Sequence, residues 1–385
     1  MASGVSDQRR YMERAIELGR AGLGEVSPRP SVGAVIVPDG EVVGEGRTEP
    51  APERHAEVVA IQQADERARG ATIYTTLEPC SHTHFTGPCV DVLIAAGIDR
   101  VVCPVGDPDP RVDGAGFRKL REAGIQVVMP LEGDLIERAI ESLEGFLHHI
   151  ATGRPFVIVK FAASLDGRIA TRTGGSQWIT SEAARERAHL MRAQADALIT
   201  GIGTVLADDP RLTARLDGVT GRPRLRVIVD SDGRMPSTAA LLAEPGDVLW
   251  VQAEGCKSTI DAPSVETVQL PRSESGGVDF GSLLDLLGER GCINVMMEAG
   301  AALTGSVIDA GLADKVAAFI APVIIGGADA LPAVGGIGVS EVSSALKLDR
   351  VRVEQIGPDV LITGYAPRQR ERNHNTAKRI ACLPE

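Results

Sequence analysis

The residues best suited to chemistry in this chain are His55, Glu57, Cys80 and Cys89, which occur as His55-Ala56-Glu57, Pro79-Cys80 and Pro88-Cys89. An imidazole and two thiolates make a set of zinc ligands. A structural zinc site closes with four protein ligands, whereas a hydrolytic one keeps three and leaves the fourth position to water. His55, Cys80 and Cys89 are therefore expected to hold Zn2+, with Glu57 as the catalytic residue that moves protons. Zinc brings the pKa of its water toward neutrality, and a nearby carboxylate can carry a proton to a leaving group. That combination suits hydrolytic loss of ammonia from an aminopyrimidine.

Helix termini must position these groups. A thiol ionises most easily at a helix N-terminus, where the macrodipole and the free N–H groups favour thiolate. The apolar pattern predicts helices over His55–Ala64 and Cys89–Ala96, and places Cys80 at a helix start after a strand over Ala71–Thr76. Residues two apart do not share a helix face, so His55 and Glu57 can meet only at the helix mouth. Around them the first half reads as a helix over 7–21, strands Val32–Val37, Glu41–Gly46, Val101–Val105 and Ile125–Met129, and helices Gly116–Ala123 and Leu135–Ile150. Strands alternating with helices predict an α/β sheet layered by helices.

The turn Thr152-Gly153-Arg154-Pro155 separates this half from the next, giving expected domains over 1–150 and 151–365, with a polar, disordered tail over 366–385. The second half reads as strands Phe156–Ala162, Ala197–Thr200, Arg226–Asp230, Val248–Gln252, Ile293–Glu298, Lys315–Ile320 and Leu361–Tyr365. Helices are expected from Thr180 or Ser181 through Ala193 and over Gly300–Ala310. Gly201-Ile202-Gly203-Thr204 lacks the third glycine of a dinucleotide fingerprint. Gly300, opening a helix after an apolar strand, is the better place for cofactor phosphates, because helix N-terminal amides bind anions.

Composition narrows the function further. A length of 385 residues is comfortable for two domains. A formal net charge of −12 and only 3% aromatic residues give no footprint for a polynucleotide partner. No apolar run is long enough for a membrane span, and the N-terminus has no signal-peptide core, so a cytoplasmic protein is expected. Six cysteines in so long a chain do not make a disulfide framework; Cys103, Cys256 and Cys292 read as buried thiols.

Two groups of segments make a resemblance specific. Thr76-Leu77-Glu78-Pro79-Cys80-Ser81-His82 and Thr86-Gly87-Pro88-Cys89, with the long gap between the cysteines, resemble the deaminase half of the bifunctional riboflavin-biosynthesis deaminase/reductase family. So do Gly33-Ala34-Val35-Ile36-Val37 and Gly44-Glu45-Gly46. Lys160 to Arg168, Ser176-Gln177-Trp178-Ile179-Thr180, Met191-Arg192-Ala193-Gln194, Val205 to Pro210 and Met297-Glu298-Ala299-Gly300 are similar to its reductase half. The resemblance implies a cytidine-deaminase-like αβα domain followed by a dihydrofolate-reductase-like αβα domain. It implies zinc-dependent deamination of a phosphorylated diaminopyrimidine, followed by NADPH reduction of its ribosyl side chain to ribityl, and a homo-oligomer formed through the reductase domain.

Carried over by the resemblance, cofactor contacts fall on Ala162, Trp178, Thr204, Asp208, Ser231, Gly300, Ala301, Ala302, Leu303, Thr304, Gly305 and Ser306, and substrate contacts on Ser176, Arg192, Leu212, Arg215 and Glu298. Arg192 and Arg215 could clamp a phosphate through bidentate hydrogen bonds. Three positions depart from the family pattern. Arg29 stands where an Asn is usual, His84-Phe85 where Gly and a cation are usual, and Asp109 where Asn is usual. They leave open a second reading, a reductase whose zinc domain has altered or lost its deaminase activity.

Overall fold

The structure is a computed structural model that describes residues 2–82, 87–109, 111–129, 133–215 and 223–367. The chain divides into two compact units between Gly153 and Arg154. His84, Phe85, Cys382 and most of the polar C-terminal segment lie outside the described residues.

The first unit runs α1 (Ala2–Ala21), β1 (Gly33–Val37), β2 (Gly44–Arg47), α2 (Ala56–Ala64), β3 (Thr72–Thr75), α3 (Cys89–Ala96), β4 (Arg100–Val102), α4 (Ala115–Glu122), β5 (Gln126–Val128), α5 (Gly133–Ser142) and α6 (Glu144–Thr152). Its five strands lie in the order β2-β1-β3-β4-β5. β1 is antiparallel to both neighbours, and β3, β4 and β5 are parallel. All five residues of β1 are buried, as a continuous apolar run covered on both faces requires. Met12, Ala15 and Ile16 of α1 are likewise buried. Helix α2 lies close against β2 because Gly44 and Gly46 have no side chain there; a Cβ on Gly46 would stand 2.1 Å from the Ala56 carbonyl oxygen.

One expected element divides. The helix expected over Leu135–Ile150 is two helices, parted at Leu143, whose φ of −115° and ψ of 4° leave the helical region. Beside it the Ser142 hydroxyl donates 2.7 Å to the Ala139 carbonyl, a local bond that competes with the helix ladder.

The second unit runs β6 (Phe156–Ser164), α7 (Glu182–Gln194), β7 (Ala197–Gly201), α8 (Ile202–Asp208), β8 (Leu225–Val229), β9 (Val248–Ala253), β10 (Val265–Leu270), α9 (Phe280–Glu289), β11 (Asn294–Met297), α10 (Ala301–Asp309), β12 (Lys315–Ala321), β13 (Asp349–Ile356) and β14 (Asp359–Tyr365). Nine strands follow the order β10-β9-β8-β7-β11-β6-β12-β14-β13. They are parallel from β10 to β12; β14 and β13 close the sheet antiparallel. One face packs Val157, Ile199, Val227 and Val295 against Leu283 and Leu287 of α9 and Val307 of α10. On the other face Ala184 and Ala188 of α7 meet Ala317, Phe319 and Leu361. Burying each large apolar side chain here contributes roughly 1.5–3 kcal/mol.

Candidate active sites

In the first unit the chain brings all four residues of the expected zinc chemistry together. His55 is the N-cap of α2, in extended conformation, and Glu57 lies in the first turn. Cys89 is the first residue of α3, after the N-cap Pro88. Cys80 differs from expectation: it lies in irregular chain, not at the start of its own helix. Its thiol nonetheless accepts the Cys89 backbone N–H at 3.3 Å, and its carbonyl accepts that of Val90 at 3.2 Å. The helix end that serves Cys80 is thus that of α3, reached through space.

One nitrogen of His55 and the two sulfurs lie within 4.8 Å of one another. His55 Nδ1 stands 3.1 Å from Cys89 Sγ and 3.5 Å from Cys80 Sγ. A tetrahedral zinc with bonds of about 2.0–2.3 Å sets its ligand atoms about 3.5 Å apart, so this donor set fits the ion. Hydrogen bonding from Cys89 and His55, working against burial, lowers the Cys80 thiol to about 4, into the range where it is a thiolate. Glu57 Oε2 is 3.5 Å from Cys89 Sγ. Burial pushes the Glu57 carboxyl above its usual range, with His55 opposing and Cys80 adding to the rise. A buried carboxyl that holds its proton more tightly than usual suits an acid–base role.

The surroundings explain two of the departures. Arg29 Nη1 donates to the backbone carbonyls of Glu49 and Glu53 at 3.0 and 3.1 Å. Burial lowers its pKa, while Cys89, Cys80 and Glu57 are close enough to raise it. Asp109 accepts from Arg111 Nε at 2.9 and 3.0 Å, so its charge is answered by its own loop. Asp107, which accepts the Asp109 N–H, is pushed by burial up to about 7. Among the described residues His82 Nδ1 is buried with no hydrogen-bond partner, and His82 is not part of the metal cluster.

Sequence reasoning assigned no role to Glu78. Its carboxylate accepts the backbone N–H groups of Asp107 at 3.1 Å, Gly114 at 3.3 Å and Phe117 at 3.1 Å. It ties the turn before Cys80 to the N-terminus of α4, which favours a negative charge there. The only trace in sequence was its place two residues before Cys80.

In the second unit Ala162, Thr204, Glu298 and Gly300 lie at or just after the C-terminal ends of β6, β7 and β11, the customary ligand side of an open parallel sheet. Ala162 is on β6 and Glu298 directly follows β11. Gly300 caps α10, the nine-residue helix that carries Ala301 to Ser306, without a side-chain bond, and a helix N-terminus of this kind suits an anion. Thr204 Oγ1 accepts the Gly300 N–H at 3.2 Å, and Ser176 donates 2.7 Å to Asp208 at the end of α8. Ser231 accepts the Val278 N–H at 3.1 Å, after β8. Trp178 is exposed with the Arg185 guanidinium 4.6 Å from its ring centroid. Leu212 is buried with a φ of 52°. Gly201-Ile202-Gly203-Thr204 forms the N-cap and first turn of α8.

Glu298 is the electrostatic centre of this group. Lys160 Nζ donates to its Oε2 at 2.9 Å, Arg192 Nη2 to the same oxygen at 3.0 Å, and Arg192 Nε to Oε1. Burial would push the Glu298 carboxyl up, but Arg192 and Lys160 outweigh it and hold the group well below the usual carboxylate range. Lys160, on β6, was not among the expected contacts. Arg192 turns its fork to Glu298 and gives its Nη1 to the Thr213 carbonyl at 3.2 Å.

A cytidine-deaminase-like zinc domain followed by a dihydrofolate-reductase-like domain is the class of protein that this fold and these sites define. Residues 5–105 match the family model for the cytidine and deoxycytidylate deaminase zinc-binding region, and residues 155–362 match the RibD C-terminal domain. The riboflavin biosynthesis protein RibD of Escherichia coli is 40% identical over 364 residues, covering 91% of this chain and 97% of that protein. That of Mycobacterium tuberculosis is 40% identical over 356 residues, covering 91% and 95%. Among solved structures, Acinetobacter baumannii RibD superposes with a TM-score of 0.81 at 36% identity, covering 94% of this chain and 99% of that one. The Thermotoga maritima diaminohydroxyphosphoribosylaminopyrimidine deaminase/5-amino-6-(5-phosphoribosylamino)uracil reductase gives 0.82 at 35%, with the same coverage. The chain belongs to the RibD family.

Proposed function

We propose that the protein is a bifunctional riboflavin-pathway enzyme, with zinc-dependent deamination in residues 1–150 and NADPH-dependent reduction in residues 151–365. The substrate is 2,5-diamino-6-(5-phosphoribosylamino)pyrimidin-4(3H)-one, and the product of both steps is 5-amino-6-(5-phosphoribitylamino)uracil. The observation that carries the first activity is the convergence of His55, Cys80 and Cys89 beside the buried Glu57 carboxyl. The similarity to the Escherichia coli and Thermotoga maritima proteins runs through both units almost end to end.

His55, Cys80 and Cys89 would hold the zinc, which when bound supplies a Lewis acid that activates water at neutral pH. Glu57 takes a proton and returns it to the departing nitrogen, a role that its raised pKa supports. Glu78 keeps the Cys80 turn fixed against α4. In the second unit the N-terminal amides of α10 would receive the cofactor's phosphates, and NADPH when bound supplies the hydride. Ala162, Trp178, Thr204, Asp208 and Ser231 line its contacts. Glu298, kept anionic by Arg192 and Lys160, accepts hydrogen bonds from the sugar chain and orients it, with Ser176, Leu212 and Arg215 as further contacts.

A second reading keeps only the reductase active, and Arg29 is the observation behind it, since this cation stands in the field of the metal cluster. One assay separates them. Zinc-loaded protein given the diaminopyrimidine phosphate and NADPH should release ammonia and then oxidise NADPH. NADPH oxidation only when the already deaminated compound is supplied would leave the reductase reading alone.

We place the enzyme in the cytoplasm; no helix among the described residues is long and apolar enough to cross a membrane. Assembly as a homo-oligomer through the second unit is supported by its exposed apolar residues Ile324, Ile337, Val342, Val351 and Val353. Light scattering of Val353→Lys against the parent protein tests this: an unchanged mass would remove β13 from the interface.

A further inference from the structure

Four basic groups meet beside α7: His189 and Arg192 on the helix, and Arg211 and Arg215 on the chain after α8. Two of them are already answered by carboxylates. Arg192 bonds Glu298 and passes its remaining donor, Nη1, to the Thr213 carbonyl at 3.2 Å. Arg211 pairs with Glu244 at 3.2 Å. Arg215 is different. Its Nη1 donates to Thr213 Oγ1 at 3.0 Å, and among the described residues no carboxylate lies within ion-pair distance of it. Burial and the charges of Arg192 and Arg211 push its pKa down, with Glu244 opposing. Among the described residues the local charges leave Arg215 without a carboxylate partner of its own.

His189 completes the arrangement. Its Nδ1 accepts the backbone N–H of Arg215 at 3.1 Å. An N–H can only donate, so Nδ1 carries no proton and the ring's proton is assigned to Nε2. That Nε2 stands 3.5 Å from Arg215 Nη2. Two N–H donors at this distance have nothing to give one another. They can share an acceptor that carries negative charge, and a phosphate oxygen is one.

We propose that His189 is a further substrate-binding residue of the reductase: its Nε2–H and the Arg215 guanidinium together hold the phosphate monoester, while its Nδ1 fixes the Arg215 backbone. This rests on the reading that the reductase substrate is phosphorylated. The ring is neutral at physiological pH, because burial and the charges of Arg192 and Arg215 hold its pKa down to about 4. It therefore contributes a directed donor and no net charge.

The test is calorimetric titration of the full chain with ribose 5-phosphate and, separately, with ribose, for the parent protein, His189→Ala and His189→Gln. A hydrogen bond to a charged group is worth about a tenfold change in affinity or more, so His189→Ala should bind ribose 5-phosphate at least ~10-fold more weakly. Ribose should bind all three alike. The glutamine amide can accept from Arg215 and donate to phosphate, so His189→Gln should recover most of the loss. In turnover, KM should rise in His189→Ala while kcat changes less than about twofold, as for uniform binding. Equal affinity of the parent and His189→Ala for ribose 5-phosphate would overturn the proposal, as would equal competition by inorganic phosphate in both proteins. Failure of the reductase reading looks different: no NADPH oxidation by the parent protein, with ribose 5-phosphate binding and its dependence on His189 intact.

Discussion

Lys160 Nζ lies 2.9 Å from Glu298 Oε2, joining β6 to the end of β11 across 138 residues of sequence. The same carboxylate takes two further bonds from Arg192. Its side chain is only 13% exposed, so the three charges depend on one another. Removing one partner of a buried group of this kind costs roughly 3–5 kcal/mol, because the others are left uncompensated. Glu298→Ala should therefore unfold the second unit at clearly lower urea concentration, and Glu298→Gln at an intermediate one. NADPH oxidation should fall in both. A Glu298→Ala midpoint equal to that of the parent would show that the cluster contributes nothing to stability.

Glu57→Gln keeps the size of the side chain and removes its acid–base function. Loss of a general acid–base group costs roughly 10²–10⁴ in rate. Ammonia release should drop by that much, zinc content should stay at that of the parent, and reduction of the deaminated compound should be unchanged. Normal ammonia release from this variant would remove Glu57 from the mechanism.

Gly46→Ala tests how the helix that carries Glu57 is seated. The added Cβ would lie 2.1 Å from the Ala56 carbonyl and 2.7 Å from the Ala60 nitrogen. Neither is a flexible side-chain end, so α2 has to move. Overpacking of this kind costs roughly 1–3 kcal/mol. Lower stability of the first unit should come with slower deamination, while NADPH oxidation stays as in the parent. Unchanged deamination would mean that the site tolerates a displaced α2.

His189 sets a pH dependence of known sign. Its folded pKa, about 4, lies below the value of about 6.5 for an unperturbed imidazole. Between these values the unfolded chain binds a proton that the folded one refuses. Stability from this group is complete above about pH 6.5 and is lost as pH falls toward 4. Urea midpoints of the parent and His189→Gln should differ more at pH 7 than at pH 4.5, with the parent losing ground as the pH drops. A difference that stays constant across this range would contradict the assignment.

The metal cluster was legible in sequence because zinc restricts residue types so strongly that spacing and identity almost suffice. The support of Cys80 was not, since the helix end that serves it is that of α3, nine residues away in the chain. Lys160 escaped for a similar reason: a contact across 138 residues leaves no local pattern. Strand β13 was missed because Val351 and Val353 alternate with charged residues yet face outward. Helix α9 carried an available signal in Leu283, Leu284 and Leu287 behind the N-cap Asp279, which accepts the Ser282 N–H at 2.7 Å. The central strands were read correctly, because continuous apolar runs have few alternatives.

The nine-stranded sheet ends in two unlike margins. At β10 the outward residues Glu266, Thr267 and Gln269 are polar; at β13 Val351 and Val353 interrupt the charges. The charged Glu266 and its polar neighbours discourage pairing at the β10 edge. An assembly that paired β13 with β13 of a second copy would be self-complementary, edge to like edge about a twofold axis. Such a contact would use up its own surface once made, so growth would stop at a closed pair and not run on into a fibre.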